Sequence, residues 1–342
     1  MSDAPTRRSL KFPVIVVRAA AVAAAALSIG SCAMQAGATL SPALTPGSAG
    51  TIELTETPFY PDSAHQAGPA ALATMLAASG ATATPAELAS LVYLASQRKT
   101  LQAELRELPP RYERLSYEIA PELAAILVEI DAHHPVLVLQ NSGTSLLSKW
   151  HFAVLIGYDA QTDTVVLRSG TTRREVIPAR SFMLEWSNAE RWGMLILRPG
   201  ELPALVSRER YLAAAMEFER AARPENSVLA FNAALKRWPD EPSVWIGRAA
   251  AQLQAGDLAA AARDYSTGLR IDGSNAEARN SLALTLLDLG CIHKAQTQID
   301  LIRESALPEA LRTKIEGSRD RIADRAQNLM LREPPACAEF AY

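Results

Sequence analysis

The residues best placed to do chemistry lie in His65-Gln66-Ala67-Gly68-Pro69-Ala70-Ala71-Leu72 and in Lys149-Trp150-His151-Phe152. A residue in the first turn of a helix sits among unpaired backbone N–H groups at the positive end of the dipole, where a thiolate is favoured. Ala67 opens such a stretch but carries neither thiol nor hydroxyl, so a covalent step has no nucleophile there. His151 opens an apolar run and has the imidazole that a general base or acid needs. Ser63, His65 and Thr74 lie near Ala67. A substitute nucleophile among them would need a base within about 3 Å and oxyanion donors aimed at its product, and the spacing demands neither. His133 and His134 are adjacent, without the i, i+4 spacing that places two metal ligands together. No glycine-rich phosphate loop is present, so neither metal nor cofactor is expected.

The elements that must position these residues change character near Pro199-Gly200. Before that point the pattern predicts helices over 67–79, 85–95 and 121–132, the second introduced by Thr84-Pro85 and the third with Pro121 in its first turn. Short β-rich runs cover 135–140, 152–156, 164–167, 174–177 and 194–197. Helices followed by a mostly antiparallel sheet make an α+β domain over 51–199. Beyond 200 the strands stop and a period of 34 emerges: Ala215, Ala249 and Ala283 share one register, and Ala222, Gly256 and Gly290 fall in turns. Phe231, Tyr265 and Ile299 recur between helices, as do Ala234, Gly268 and Ile302, with Pro239, Gly273 and Leu307 at the repeat ends. Small residues at helix contacts with an aromatic between them fit tetratricopeptide repeats at 208–241, 242–275 and 276–309. Residues 310–330 supply a polar capping helix, so 200–335 is expected to be an all-α solenoid.

The run Ala67-Gly68-Pro69-Ala70-Ala71-Leu72 resembles the active-site helix of papain-like cysteine peptidases of the bacteriocin-processing type, which opens Cys-Gly-Pro-Ala-Ala-Leu, with alanine in the cysteine's place. The run from His151 to Gly157-Tyr158 is similar to the family's strand that begins with the catalytic histidine, and Pro135-Val-Leu-Val-Leu to the strand before it. The resemblance covers about 57–198 and implies a papain-like fold. It implies that His151 would hold a thiolate as an ion pair, that Ser169 stands at the position of the orienting aspartate, and that Gln66 is the oxyanion candidate. Asp62 occupies the position five residues before Ala67, where the family has its glutamine. An aspartate there would repel an oxyanion. Asp159, in the Gly-Tyr-Asp turn, is read as a turn former.

The N-terminus says where the chain works. Arg7, Arg8 and Lys11 precede an apolar stretch, Ala19 to Ile29, that ends in Gly30-Ser31-Cys32. The pattern resembles a lipoprotein signal over 1–31, too short and too interrupted by Arg18 for a membrane-spanning helix. Lipidation falls on Cys32, and Ala33 in place of aspartate points to the periplasmic face of an outer membrane in a double-membraned bacterium. Residues 32–50 form a flexible tether. Cys291 and Cys337 are read as structural, and the sequence leaves their pairing open. With 342 residues and net charge −3, the chain has no basic excess that would suggest nucleic acid.

Two functions follow. The first is a non-catalytic scaffold lipoprotein whose cleft holds an extended peptide while the repeat groove grips a protein partner. The alternative is a cysteine peptidase in which Ala67 is an inactivating substitution or the nucleophile has moved.

Overall fold

The computed structural model describes residues 39–62, 67–92, 98–143, 147–303, 307–327 and 334–340. Seven strands form one sheet: β1 (Thr51–Glu53), β2 (Leu115–Glu118), β3 (Val136–Asn141), β4 (Trp150–Asp159), β5 (Thr164–Ser169), β6 (Thr172–Pro178) and β7 (Gly193–Leu197). The order is β2-β7-β3-β4-β5-β6, with β1 also paired to β4, and every pairing is antiparallel.

The central strands read as continuous apolar runs because both faces of the sheet are covered; all six residues of β3 are buried. Alternation divides them between two cores. Leu137, Leu139, Phe152, Val154 and Met194 face helices α1 (Ala67–Ala78), α2 (Pro85–Val92) and α3 (Arg98–Glu107), packing on Leu72, Met75, Leu76, Leu88 and Leu105. Val136, Val138, Ala153, Leu155 and Leu195 face the opposite way, toward α4 (Leu123–Asp131) and α5 (Ala179–Ser187), packing on Ile126, Leu127, Phe182 and Trp186. A register shift in β4 between Leu155 and Gly157 breaks the alternation, so Ile156 and Tyr158 belong to different cores. Gly157 has no room for a side chain: a Cβ there would run into the carbonyl of Ile52 on β1.

From 208 onward the chain is helical: α6 (Arg208–Glu219), α7 (Pro224–Arg237), α8 (Pro242–Gln254), α9 (Leu258–Ile271), α10 (Ala276–Asp288), α11 (Ile292–Asp300) and α12 (Glu309–Gln327). Local chemistry starts them. Ser207, Asp257 and Asn275 cap α6, α9 and α10 through side-chain oxygens, and proline occupies the first turn of α7 and α8. Buried Ala249, Tyr265, Leu282, Ala283 and Ile299 lie in a third core. Cys291 and Cys337 form a disulfide that holds the short 3₁₀ turn Pro335–Phe340 against this core. Among the described residues no helix is long and apolar enough to cross a membrane.

Two expectations about connections change. Residues from Thr39 on are not a free tether: Leu40 is fully buried, and the Thr39 and Leu40 amides both donate to Asp163 Oδ1 at 2.8 Å. The expected boundary at Pro199-Gly200 is a turn but not a break in packing. Tyr211, Phe218, Ala230 and Phe231 of α6 and α7 lie in the same core as Leu115, Tyr117 and Val138 of the sheet. Buried Glu129 on α4 fastens the crossing, accepting from the Ala204 and Leu205 amides at 3.1 and 2.9 Å. The third expected helix starts later than the sequence suggests, at Leu123, because Glu122 is extended (φ −127°, ψ 137°).

Candidate functional site

Helix α1, described from Ala67 on, is buried from Gly68 to Leu76, so this end is held rigidly against the sheet. Close packing leaves little space for a larger residue at Gly68, where a Cβ would meet Leu105 Cδ1 at 3.3 Å and Phe152 Cδ2 at 3.4 Å. A recess of about 10 Å³ opens beside this turn, lined by Tyr60, Asp62, Ala67, Thr74, Phe152 and Arg168 among others. That volume holds roughly one water molecule. The segment before the helix is pinned across the recess: the Tyr60 amide donates to Thr74 Oγ1 at 3.3 Å and the Asp62 amide to the Gly170 carbonyl at 2.9 Å.

The cation of the recess is Arg168, on β5, which is 5% exposed. It donates to the carbonyls of Thr57 (3.3 and 3.1 Å), Thr55 (3.0 Å) and Arg173 (2.5 Å), tying the strand before α1 to the β5–β6 hairpin. Burial lowers its pKa, repulsion from Arg173 adds to the effect, and Glu53 opposes it.

The sequence-based site residues do not converge here. Phe152 belongs to the core on the α1 side, so alternation puts His151 on the other face, with Ala153 and Leu155. Its cross-strand partner Gln140, fully buried, confirms the direction by donating from Nε2 to Glu185 Oε2 on α5 at 3.0 Å. Among the described residues the Oε1 of Gln140 has no partner. Ser169 pairs in register with Ala153 and follows it to that second face. The residue of this stretch that shares the recess with Ala67 is therefore Arg168 rather than Ser169. By strand register His151 and Ser169 lie on the face opposite Phe152, and neither lines the recess at residue 67. Asp62 does line the recess. Gln66, Ser63 and His65 lie outside the described residues, as does Cys32. Thr74 is buried and its hydroxyl accepts from the Tyr60 amide. Asp159 takes turn bonds, accepting from the amides of Gln161 (2.8 Å) and Thr162 (3.3 Å).

Arg168 is the site residue that sequence reasoning misses. Its signal is a charge ending the apolar run Val165-Val166-Leu167, where a strand buried on both faces needs a partner for every polar group. Among the described residues that line it, the recess offers a buried cation and neither a cysteine nor a serine. Among the described residues no group of His, Cys, Asp and Glu could hold a metal ion.

Comparison with known proteins places this part of the chain. Residues 60–193, less than half of the whole, match the Peptidase_C39 like family, so this segment is related to the C39-like peptidases. No curated protein shows significant similarity to the chain. Among solved structures, one from Bacillus anthracis described as a C39-like peptidase is similar at 16% identity, covering 43% of this chain and 98% of its own, with a TM-score of 0.37.

Proposed function

We propose that this is a non-catalytic, peptide-binding scaffold protein in which a cysteine-peptidase-like domain is joined to a tetratricopeptide array and anchored by a lipid on Cys32. The observation that carries the loss of chemistry is Ala67 itself. It stands at the first turn of α1, where the related peptidases have their cysteine, and it shares its recess with a buried guanidinium rather than an imidazole. The array is supported by spacing. The first helices of the three pairs start at Arg208, Pro242 and Ala276 and the second at Pro224, Leu258 and Ile292, each set at intervals of 34 residues.

The test is a peptidase assay of the unmodified protein beside Ala67→Cys. No turnover is expected from the unmodified protein. In the variant, the helix terminus and Arg168 should bring the thiol below its usual pKa of about 8.5, so iodoacetamide labels it faster than a free cysteine at neutral pH. Labelling should be indifferent to His151→Ala, because His151 faces away. Peptide cleavage by the unmodified protein, abolished by changing a nearby serine or threonine, would make this an enzyme with a relocated nucleophile. The anchor is tested separately: Cys32→Ser should move the protein from the membrane to the soluble fraction.

A further inference from the structure

We propose that the C-terminal end of α1, remote from Ala67, is a binding site for the terminal carboxylate of a short extended peptide, with Arg198 as its anchoring cation. The inference rests on the peptide-binding reading for the class of occupant and on the geometry for its place.

Two arginines meet at this helix end. Arg114 donates to the Ser79 carbonyl from Nε (3.1 Å) and Nη2 (3.0 Å), and Arg198 donates to the same oxygen from Nε at 3.0 Å. One carbonyl needs no second guanidinium. Arg114 shares its Nε with Ser79 Oγ and spends its Nη1 donors on the carbonyls of Tyr112 and Glu113. Arg198 does not: among the described residues its Nη1 and Nη2 have no acceptor, and neither arginine forms an ion pair.

Arg198 opens into a cavity of about 110 Å³ that Ser79, His133, His134 and Glu201 also line. Here His134 lies between two carboxylates, Nδ1 2.7 Å from Glu129 Oε2 and Nε2 3.5 Å from Glu201 Oε1. Those bonds raise its pKa to about 9, so it is a cation at neutral pH. Of the charged groups that line the cavity, Arg198 and His134 stand against Glu201, which leaves one positive charge. A carboxylate is a monoanion that matches it, and a free guanidinium edge takes such a group by paired N–H bonds.

The trough continues. A second cavity of about 390 Å³ shares Ala78, His133 and Pro135 with the first and runs to Glu53 and Glu56. Its volume exceeds that of the recess at Ala67 many times over and has room for a few residues of extended chain. Glu53 is paired with Arg174, whereas among the described residues Glu56 meets only the Thr55 hydroxyl, so the far end favours a basic side chain. His133 holds the wall common to both cavities in a left-handed backbone conformation (φ 64°), which non-glycine residues adopt at a cost.

The experiment is fluorescence anisotropy on the full chain. Its probes are an N-terminally labelled Ala-Lys-Ala-Ala peptide with a free C-terminus, the same peptide as its amide, and inorganic phosphate as competitor. The free acid should bind saturably, phosphate should displace it, and the amide should bind about tenfold more weakly or worse. Arg198→Gln should weaken the acid to the level of the amide, whereas Arg180→Gln, which removes an exposed arginine on α5 across the sheet, should leave binding unchanged. Equal binding of acid and amide, or binding indifferent to Arg198→Gln, overturns the site. Binding weakened equally by Arg180→Gln and Arg198→Gln also overturns it, because the attraction is then to overall charge and not to this site. No saturable binding of any probe overturns the carboxylate site, and the peptidase assay then decides the other reading by itself.

Discussion

His134 sits where a single proton bears on how the sheet meets the helices. Hydrogen bonds to Glu129 and Glu201 raise its pKa from 6.5 to about 9 against the opposing effect of burial. The interaction in turn lowers the pKa of Glu201. A pKa raised by folding means that the stabilising contribution is complete below the unfolded value, near 6.5, and disappears as pH climbs through 9. Denaturant midpoints should therefore fall across that window, by on the order of 2 kcal/mol once partial solvent screening is allowed for. His134→Gln should start less stable and show a flatter profile there. A wild-type profile with no decline between pH 6.5 and 9 would remove the charged histidine from the junction.

At the scale of elements, the helical region depends on small residues where helices cross. Gly247 on α8 is the tightest case: a Cβ at this position would collide with the ring of buried Phe231 on α7, which cannot yield within its core. Gly247→Ala should destabilise the protein by about 1–3 kcal/mol, against the usual gain from replacing a helical glycine. Thermal unfolding of the full chain would read the loss, and a raised midpoint would contradict the packing. The same scale shows why some elements were legible in the sequence and others were not. Strands β3, β4 and β7 announce themselves as apolar runs because they are covered on both faces. Strand β1 has three residues and β2 four, and each owes its existence to distant partners, β4 and β7, that no local pattern reveals. Helix α3 is polar along most of its length, which hides it from any search for an apolar stripe. That Ala67 to Ala78 is helical could be read from the sequence. The face taken by His151 could not, because a strand buried on both sides has no polar alternation to fix it, and one residue of register inverts the answer.

For the whole molecule, the C-terminus is secured by covalent chemistry. The Cys291–Cys337 disulfide spans 46 residues of sequence and encloses α12. Both sulfurs are buried with Phe340 in the third core. Loop-closure entropy assigns such a link about 3–4 kcal/mol. Cys337→Ser, or reduction of the native protein, should lower the unfolding temperature of the helical region, and identical melting of oxidised and reduced protein would show the bond to be idle.

The core that runs unbroken from the sheet into α6 and α7 has a consequence for the two proposed binding surfaces if both are engaged at once. Domains on a flexible linker search for a second site with an effective concentration set by linker length. Here Glu129 and Tyr117 fasten the linker's own backbone, so there is no such search. A bivalent ligand that engages both the trough at the end of α1 and the helical array must match one fixed span. A partner whose two contact points fit that distance gains the full benefit of avidity, and one that misses it gains none. Under the proposed function the rigid junction would select partners by length, as a gauge accepts only the part cut to its jaws.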